Sequence, residues 1–399
     1  MANTLKFGNG EWYGKKDTIL AYNDENYNYK PLPFNFSRDS KATVVNKQGL
    51  IETVGSGEPR IDYKDDSKGA LLLEPTRSNI LLQSNQFDTS WSNLALTPLS
   101  SKIGVGGSTD AWLLNVTGNS GSIRQNVSQN GVQTLSIYAK KSVSNWIALY
   151  VASTVDPPYV YFDLDNGVIG TSFGDNTINE NIESVGDGWY RCSITFDRTI
   201  SSDTIRIFPS KSNGVLGSNG DSVYIQYAQL EQGSYPTSYI PTQGSIVTRN
   251  QDVCNNGGVG VPIFSNTYAV WFMDLERIGV SDLDIGDSLT LRDDSNVRQI
   301  TLWFDSPSKQ IRFRDGKNSL TQIGGVMSTS EGTRKKIALK IDGETLKLFA
   351  EGSQVGANYT KVNSFDITQM TMQGIGYKIR NIKFYNTTLT DAELISLTS

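Results

Sequence analysis

Lys336–Phe349 reads KIALKIDGETLKLF. Ile337, Leu339 and Ile341 alternate with Ala338 and Lys340, Asp342-Gly343 offers a turn, and Leu346 and Leu348 alternate with Lys347. A period of two places successive side chains on opposite faces of a strand, so the segment predicts a β-hairpin with one wet face. Upstream, Gln299–Phe313 repeats the pattern: Ile300, Leu302 and Phe304, then Ser306-Pro307-Ser308, then Ile311 and Phe313. Similar runs separated by Gly, Asn, Asp and Ser clusters occupy much of the chain. βαβ units would need helical periods between strands, so antiparallel sandwiches or jelly rolls are the economical expectation. One helix is expected, at the C-terminus: Thr390-Asp391-Ala392-Glu393 forms a capping box, with Leu389 and Leu394 at the staple positions. The predicted fold class is therefore all-β: tandem antiparallel β-sandwich or jelly-roll domains, an N-terminal segment and a short C-terminal helix.

At 399 residues, and about 150 residues per domain, two or three domains are expected. Composition breaks place them at 1–78, 79–250 and 251–399. Ile246–Gly260 (IVTRNQDVCNNGGVG) has few alternating apolar residues and marks a junction near 245–258. The first segment is rich in aromatics (Trp12, Tyr13, Tyr22, Tyr27, Tyr29, Phe34, Phe36) without a sustained strand pattern, so it is expected to bury them against another surface.

The chain contains no histidine, which removes Ser-His-Asp and Cys-His nucleophile systems, HExxH zinc sites and histidine pH switches together. A net charge of −5 disfavours nucleic acid as the main partner. Cys192 and Cys254 are too few for a zinc cluster or a disulfide framework. The opening MANTLKFGNG lacks a basic start and an apolar run, and no window approaches the 18 consecutive apolar residues of a spanning helix, so neither secretion nor membrane insertion is expected.

Particular strings carry a resemblance. Phe36–Tyr63 (FSRDSKATVVNKQGLIETVGSGEPRIDY), Gly69–Leu82 (GALLLEPTRSNILL) and Ser84–Trp91 (SNQFDTSW) resemble a module found in tail, fibre and other virion proteins of bacteriophages. Gln133–Lys141 (QTLSIYAKK), Gly186–Phe196 (GDGWYRCSITF) and Val223–Arg249 are similar to the jelly-roll, carbohydrate-binding-module-like domain that usually follows it. The stretches 336–355 and 379–394 resemble concanavalin-like (laminin-G-type) sandwiches. The resemblance implies a head or tail fibre, spike or appendage subunit, made in the host cytoplasm and displayed on the virion surface. It further implies a homotrimer, docked to other virion proteins through residues 1–78, with β-domains that meet a host-surface glycan.

Sugar recognition on a β-sandwich needs flat aromatic faces for the pyranose ring and polar groups for its hydroxyls. The middle segment offers Trp112, Trp146, Tyr150, Tyr159 and Tyr161. Even spacing puts Trp146 with Tyr150, and Tyr159 with Tyr161, on shared strand faces, and Asp156-Pro157-Pro158 between them is a stiff turn. Strand aromatics are more often core than platform, so each competes with a packing role. Trp189 in GDGWYR is expected to plug the sandwich. No catalytic residue is assigned. Glycoside hydrolysis is the one enzyme class the residues leave open, through Asp274 with Glu276 or Asp163 with Asp165, although the next same-face position after Glu276 is Ile278 rather than a third acid. Asp282, Asp284 and Asp287 gather hard oxygen ligands near Gly286 and form a candidate site for structural calcium, without the twelfth-position Glu of an EF-hand. A decoration protein with no ligand is the remaining alternative.

Overall fold

The computed structural model describes residues 4–8, 12–15, 18–23, 28–152, 156–198, 203–259, 264–279, 289–305, 310–329, 332–374 and 376–399. Among the described residues strands dominate, their pairings are antiparallel, and there is one helix, Asp391–Thr398. The expected all-β class with a short C-terminal helix is what the chain adopts.

The chain forms two compact units: residues 48–52 with 77–249, and residues 1–47 with 53–76 and 250–399. Composition suggested three segments, 1–78, 79–250 and 251–399. The first segment differs. Residues 28–37 form a strand that pairs with Val253–Gly257 on one side and Thr18–Asn23 on the other, and Thr4–Gly8 pairs with Tyr377–Tyr385. Phe34 and Phe36 are buried with Trp271, Leu302 and Ile379 in one core. The early aromatics at 34 and 36 thus find their covering surface within the chain itself, by pairing over more than 200 positions of sequence, a separation that local periodicity does not register.

In the middle unit two sheets face each other. One runs Leu96–Lys102, Ala111–Val116, Ser222–Gln232, Gly131–Lys141, Trp189–Arg198, Thr177–Gly186 in spatial order; the other runs Ser92–Leu94, Ser122–Val127, Asp203–Ser212, Trp146–Ala152, Tyr159–Asp163, Val168–Phe173. Alternation explains the layer between them. Leu135, Ile137, Ile194 and Phe196 from the first sheet meet Ile147, Leu149, Val160, Phe162, Ile205 and Ile207 from the second. Trp189 is buried, but on the outer side of the first sheet with Tyr138, Tyr227 and Tyr239, so it does not fill the sandwich interior as expected. Its turn is as read: Gly186, Asp187 and Gly188 all have positive φ.

The second unit is also a layered antiparallel structure. The Lys336–Phe349 hairpin forms with strands Arg334–Asp342 and Thr345–Ala350, Asp342 opposite Thr345, and Gly343 at φ 61°. Ile337, Leu339, Ile341, Leu346 and Leu348 all face the core. The opposite face of this sheet carries Val270, Phe272, Ala338 and Phe349, against which the helix lays Leu394, with Leu389 beside it. The Thr390 hydroxyl accepts from the Glu393 amide at 3.2 Å, and the Thr390 amide donates to Glu393 at 2.7 Å, completing the capping box.

Residues 38–76 and 252 are joined by a buried ionic network. Asp252 accepts from Arg38 at 3.0 Å and from Arg60, and Arg60 also reaches Glu74 at 2.6 Å. Arg38 donates further to the carbonyls of Gly55, Glu58 and Ser40. Burial alone would lower the Arg60 pKa, but Asp252 and Glu74 outweigh it and hold that pKa above its ordinary value. Four segments distant in sequence are tied at a point where every carboxylate has a guanidinium, the condition for a buried charge to be tolerated.

Candidate functional site

The outer face of the second sheet of the middle unit is where the sequence-predicted aromatics gather. Ile147, Leu149 and Val151 point into the core, so Trp146, Ala148 and Tyr150 point out. The same alternation sends Tyr159 and Tyr161 out while Val160 and Phe162 go in. Register then brings these residues together. Tyr150 stands opposite Tyr159 on one side and Arg206 on the other, Ala148 lies between Tyr161 and Phe208, and Phe173 of the edge strand faces Tyr159.

The rings form one continuous floor. Tyr159 lies 4.9 Å from Tyr161, 5.1 Å from Tyr150 and 6.1 Å from both Phe173 and Phe208, centroid to centroid. The Tyr161 hydroxyl donates to the Tyr159 hydroxyl at 2.8 Å. Burial, then that bond, pushes the Tyr159 pKa well above its ordinary value, so this phenol stays neutral. Trp146 sits at the other end of the strand, over Gly170; a Cβ there would lie 2.5 Å from the indole. The Asn213 side chain, which accepts from the Thr171 amide at 2.7 Å, borders the same spot.

The predicted residues do not all contribute alike. Trp146, Tyr150 and Tyr159 are half-buried and offer ring surface. Tyr161 is only 3% exposed and acts as support beneath Tyr159. Trp112 belongs to the sandwich core at 7% exposure, edge-on to Phe87, with its indole N–H donating to the Asn85 carbonyl at 3.0 Å. Its surroundings are a packed interior, which leaves no room for a sugar ring. Phe173, at 53% exposure, extends the floor, and Phe208, at 7%, supports it from below as Tyr161 does; both were missed by sequence reasoning. Phe208 lies on the outward phase of the alternating run IRIF, and that phase was the available signal; only the strand order places it beside Tyr159.

The acid pairs are engaged elsewhere. Arg334 grips Asp274 at 2.7 and 2.5 Å, and Arg380 meets Glu276 at 2.5 Å. The bonds that Arg334 donates to Asp274 are the main reason its pKa rises. Lys378 continues this ladder to Asp62 at 2.8 Å and Asp65 at 2.5 Å. Asp163 closes a turn, accepting from the amides of Asp165 and Asn166 at 2.9 and 3.2 Å and from the Asn166 side chain, while Asp165 pairs with Lys141. The calcium candidates Asp282, Asp284 and Asp287 lie outside the described residues. Among the described residues no group of three or more Asp, Glu, His or Cys side chains is placed to hold a metal, and no helix is long and apolar enough to cross a membrane.

No protein-family model and no curated protein matches the chain. Among solved structures, the chain is similar to the Ruminococcus gnavus IT-sialidase CBM40, at 15% identity over 34% of this chain and 84% of that one, with a TM-score of 0.27. It is also similar to Trypanosoma rangeli sialidase, at 11% identity over 96% of this chain and 65% of that one, with a TM-score of 0.29. Scores this low establish neither a common fold nor a shared ligand.

Proposed function

We propose that the chain is a non-enzymatic adhesive subunit of a bacteriophage virion, a head or tail fibre or spike, that holds a host-surface glycan on the outer aromatic face of its middle unit. The observation that carries the binding role is the contiguous floor of Tyr150, Tyr159 and Phe173, laid over the buried Tyr161 and Phe208, with Trp146 beside it. A sandwich needs aromatics between its sheets, not in a cluster on the outside of one. Such rings match the apolar face of a pyranose, and the half-buried tyrosines keep polar tips for its hydroxyls. The virion setting is supported by the strings at 36–91, and the homotrimer and the docking role of residues 1–78 belong to the same reading.

Hydrolysis is the weaker alternative because Asp274 and Glu276 are each committed to an arginine. A glycosidase needs one carboxyl group free to protonate the leaving oxygen. The test is binding of the full chain to host cells and isolated host-surface polysaccharide, with Phe173→Ala as the variant that leaves the core intact. Replacing an exposed stacking ring is expected to weaken binding about tenfold, or roughly 1.4 kcal/mol, with an unchanged melting temperature. Retention of full affinity by this variant and by Trp146→Ala would refute the platform. Release of reducing sugar abolished by Asp274→Ala would replace adhesion with catalysis. Immunogold labelling of particles tests the virion assignment, and sedimentation tests the trimer.

A further inference from the structure

The same outer face carries two arginines whose arrangement packing does not explain. Arg124 and Arg206 are direct antiparallel partners on adjacent strands. Their neighbours along each strand, Ile123 and Val127, Ile205 and Ile207, point into the core, so both arginines point outward. Side chains directly opposite on one face stand about 5 Å apart at Cβ, and like charges there are destabilising. Natural sheets usually relieve such a pair with a carboxylate.

Here the described side chains around the pair supply none. In register on either side of the pair lie Ser92, opposite Arg124, and Tyr150, opposite Arg206. Along the strands, the pair is flanked by Asn126 and Thr204, which bond each other at 2.9 Å, and by Ser122 and Phe208. Asp163, opposite Trp146, is the acid on this face among the described residues, and its oxygens are taken by Asp165 and Asn166. Among the described residues neither arginine has a hydrogen-bond or ion-pair partner, and the Arg206 Nε is buried without one. Arg206 instead lies over the Tyr150 ring at 5.4 Å. Stacking uses the face of a guanidinium and leaves its in-plane N–H groups available for an oxyanion.

We propose that Arg124 and Arg206 form an anion subsite adjoining the aromatic floor, so that the ligand is an acidic glycan. Its carboxylate or sulfate group sits between the two guanidinia while the neighbouring sugar ring lies on Tyr150 and Tyr159. The inference rests on the glycan reading of this face. It adds the sign of the ligand's charge and a site for it. An oxyanion bridging two arginines converts a repulsive pair into charge-assisted hydrogen bonds, the strong class of such bonds.

The experiment titrates the full chain with polygalacturonate, dextran sulfate, unmodified dextran and poly-glutamate, and repeats the series with Arg124→Gln and Phe173→Ala. Arg124 is chosen because it has no partner to lose. The expected result is binding of an acidic polysaccharide well above dextran, weakened about tenfold in Arg124→Gln. The melting temperature of that variant should be unchanged or raised by about a degree, because the repulsion is removed. A structural role for Arg124 predicts the reverse, a fall in melting temperature with binding intact. Polygalacturonate and dextran sulfate separate carboxylate from sulfate as the anion. Dextran bound as tightly as both acidic chains, unchanged affinity in Arg124→Gln, or no binding of either acidic chain overturns the anion subsite. Poly-glutamate bound as tightly as the polysaccharides also overturns it, by making the ligand an acidic peptide. If dextran binds and Phe173→Ala abolishes it while Arg124→Gln does not, the platform stands and the anion subsite falls.

Discussion

Trp112 and Phe173 show how one residue class divides between two tasks. Both are large aromatics on strands of the same sandwich, yet one lies in the interior with a satisfied N–H and the other stands on the surface. Trp112→Ala is expected to cost about 3–5 kcal/mol of stability by leaving a cavity, measured by denaturant unfolding, and to affect binding only through unfolding. Tyr161→Phe removes one hydroxyl–hydroxyl bond beneath the floor and is expected to cost about 1 kcal/mol. In the other unit, Asp252→Asn leaves Arg38 and Arg60 facing each other in the interior without a full counter-charge. A loss of about 3–5 kcal/mol is expected, as for other broken buried ion pairs. Near-normal stability of this variant would show that the network is dispensable.

The edge strand Val168–Phe173 positions the site as an element. Gly170 lets Trp146 close over it, and Phe173 extends the floor beyond the paired strands. Gly170→Ala would put a Cβ into the space of the indole, so the ring must swing away. Glycan affinity should fall with only a small change in melting temperature, and tryptophan fluorescence should report the displaced ring. At the other end of the chain the helix Asp391–Thr398 is held by its capping box and by Leu394 on the sheet. Thr390→Ala is expected to destabilise it by about 1 kcal/mol, seen as faster amide exchange in the last turns before any global change.

Across the whole molecule, the sheet joins residues that a division by composition would separate. Deleting residues 1–35 removes Phe34 and most of a strand paired with Val253–Gly257. The expected outcome is loss of cooperative folding in the unit containing 250–399, while the unit containing 77–249 still melts as before; two-step calorimetry checks it. Stability should also depend on pH at both extremes. For Asp65, burial raises the pKa but Lys378 more than reverses it, so the folded value lies below 3.8. Its contribution is complete above the unfolded pKa and is lost as pH falls through the folded one. Lys378, penalised by burial but held by Asp62 and Asp65, and the buried Tyr239 and Tyr377 have raised pKa values. Their contribution is present below about pH 10, where the unfolded groups keep their protons, and fades as pH rises towards the folded values. Melting temperature against pH should therefore be flat near neutrality and drop below about pH 4 and above about pH 10.

Period-two alternation made the strands readable one at a time, because which of two faces a side chain takes is set within a few residues: Ile337, Leu339 and Ile341 on one face, Lys340 on the other, where the face expected to be wet is instead covered by the helix, with Lys340 buried against Asp391. The same local logic revealed the capping box, the turns at Gly343 and Gly186–Gly188, and the shared faces of Trp146 with Tyr150 and Tyr159 with Tyr161. Strand order was beyond it. Nothing local distinguishes Trp112, which faces the opposing sheet, from Trp146, which faces water, since both alternate equally well. Nor does local pattern say that residues 28–37 pair with 253–257, that Phe208 and Phe173 flank Tyr159, or that Arg124 stands opposite Arg206. Those juxtapositions depend on which strands become neighbours and in what register. That choice is made by burial summed over whole sheets and by pairing across long sequence separations, where one residue of slip would reverse every face.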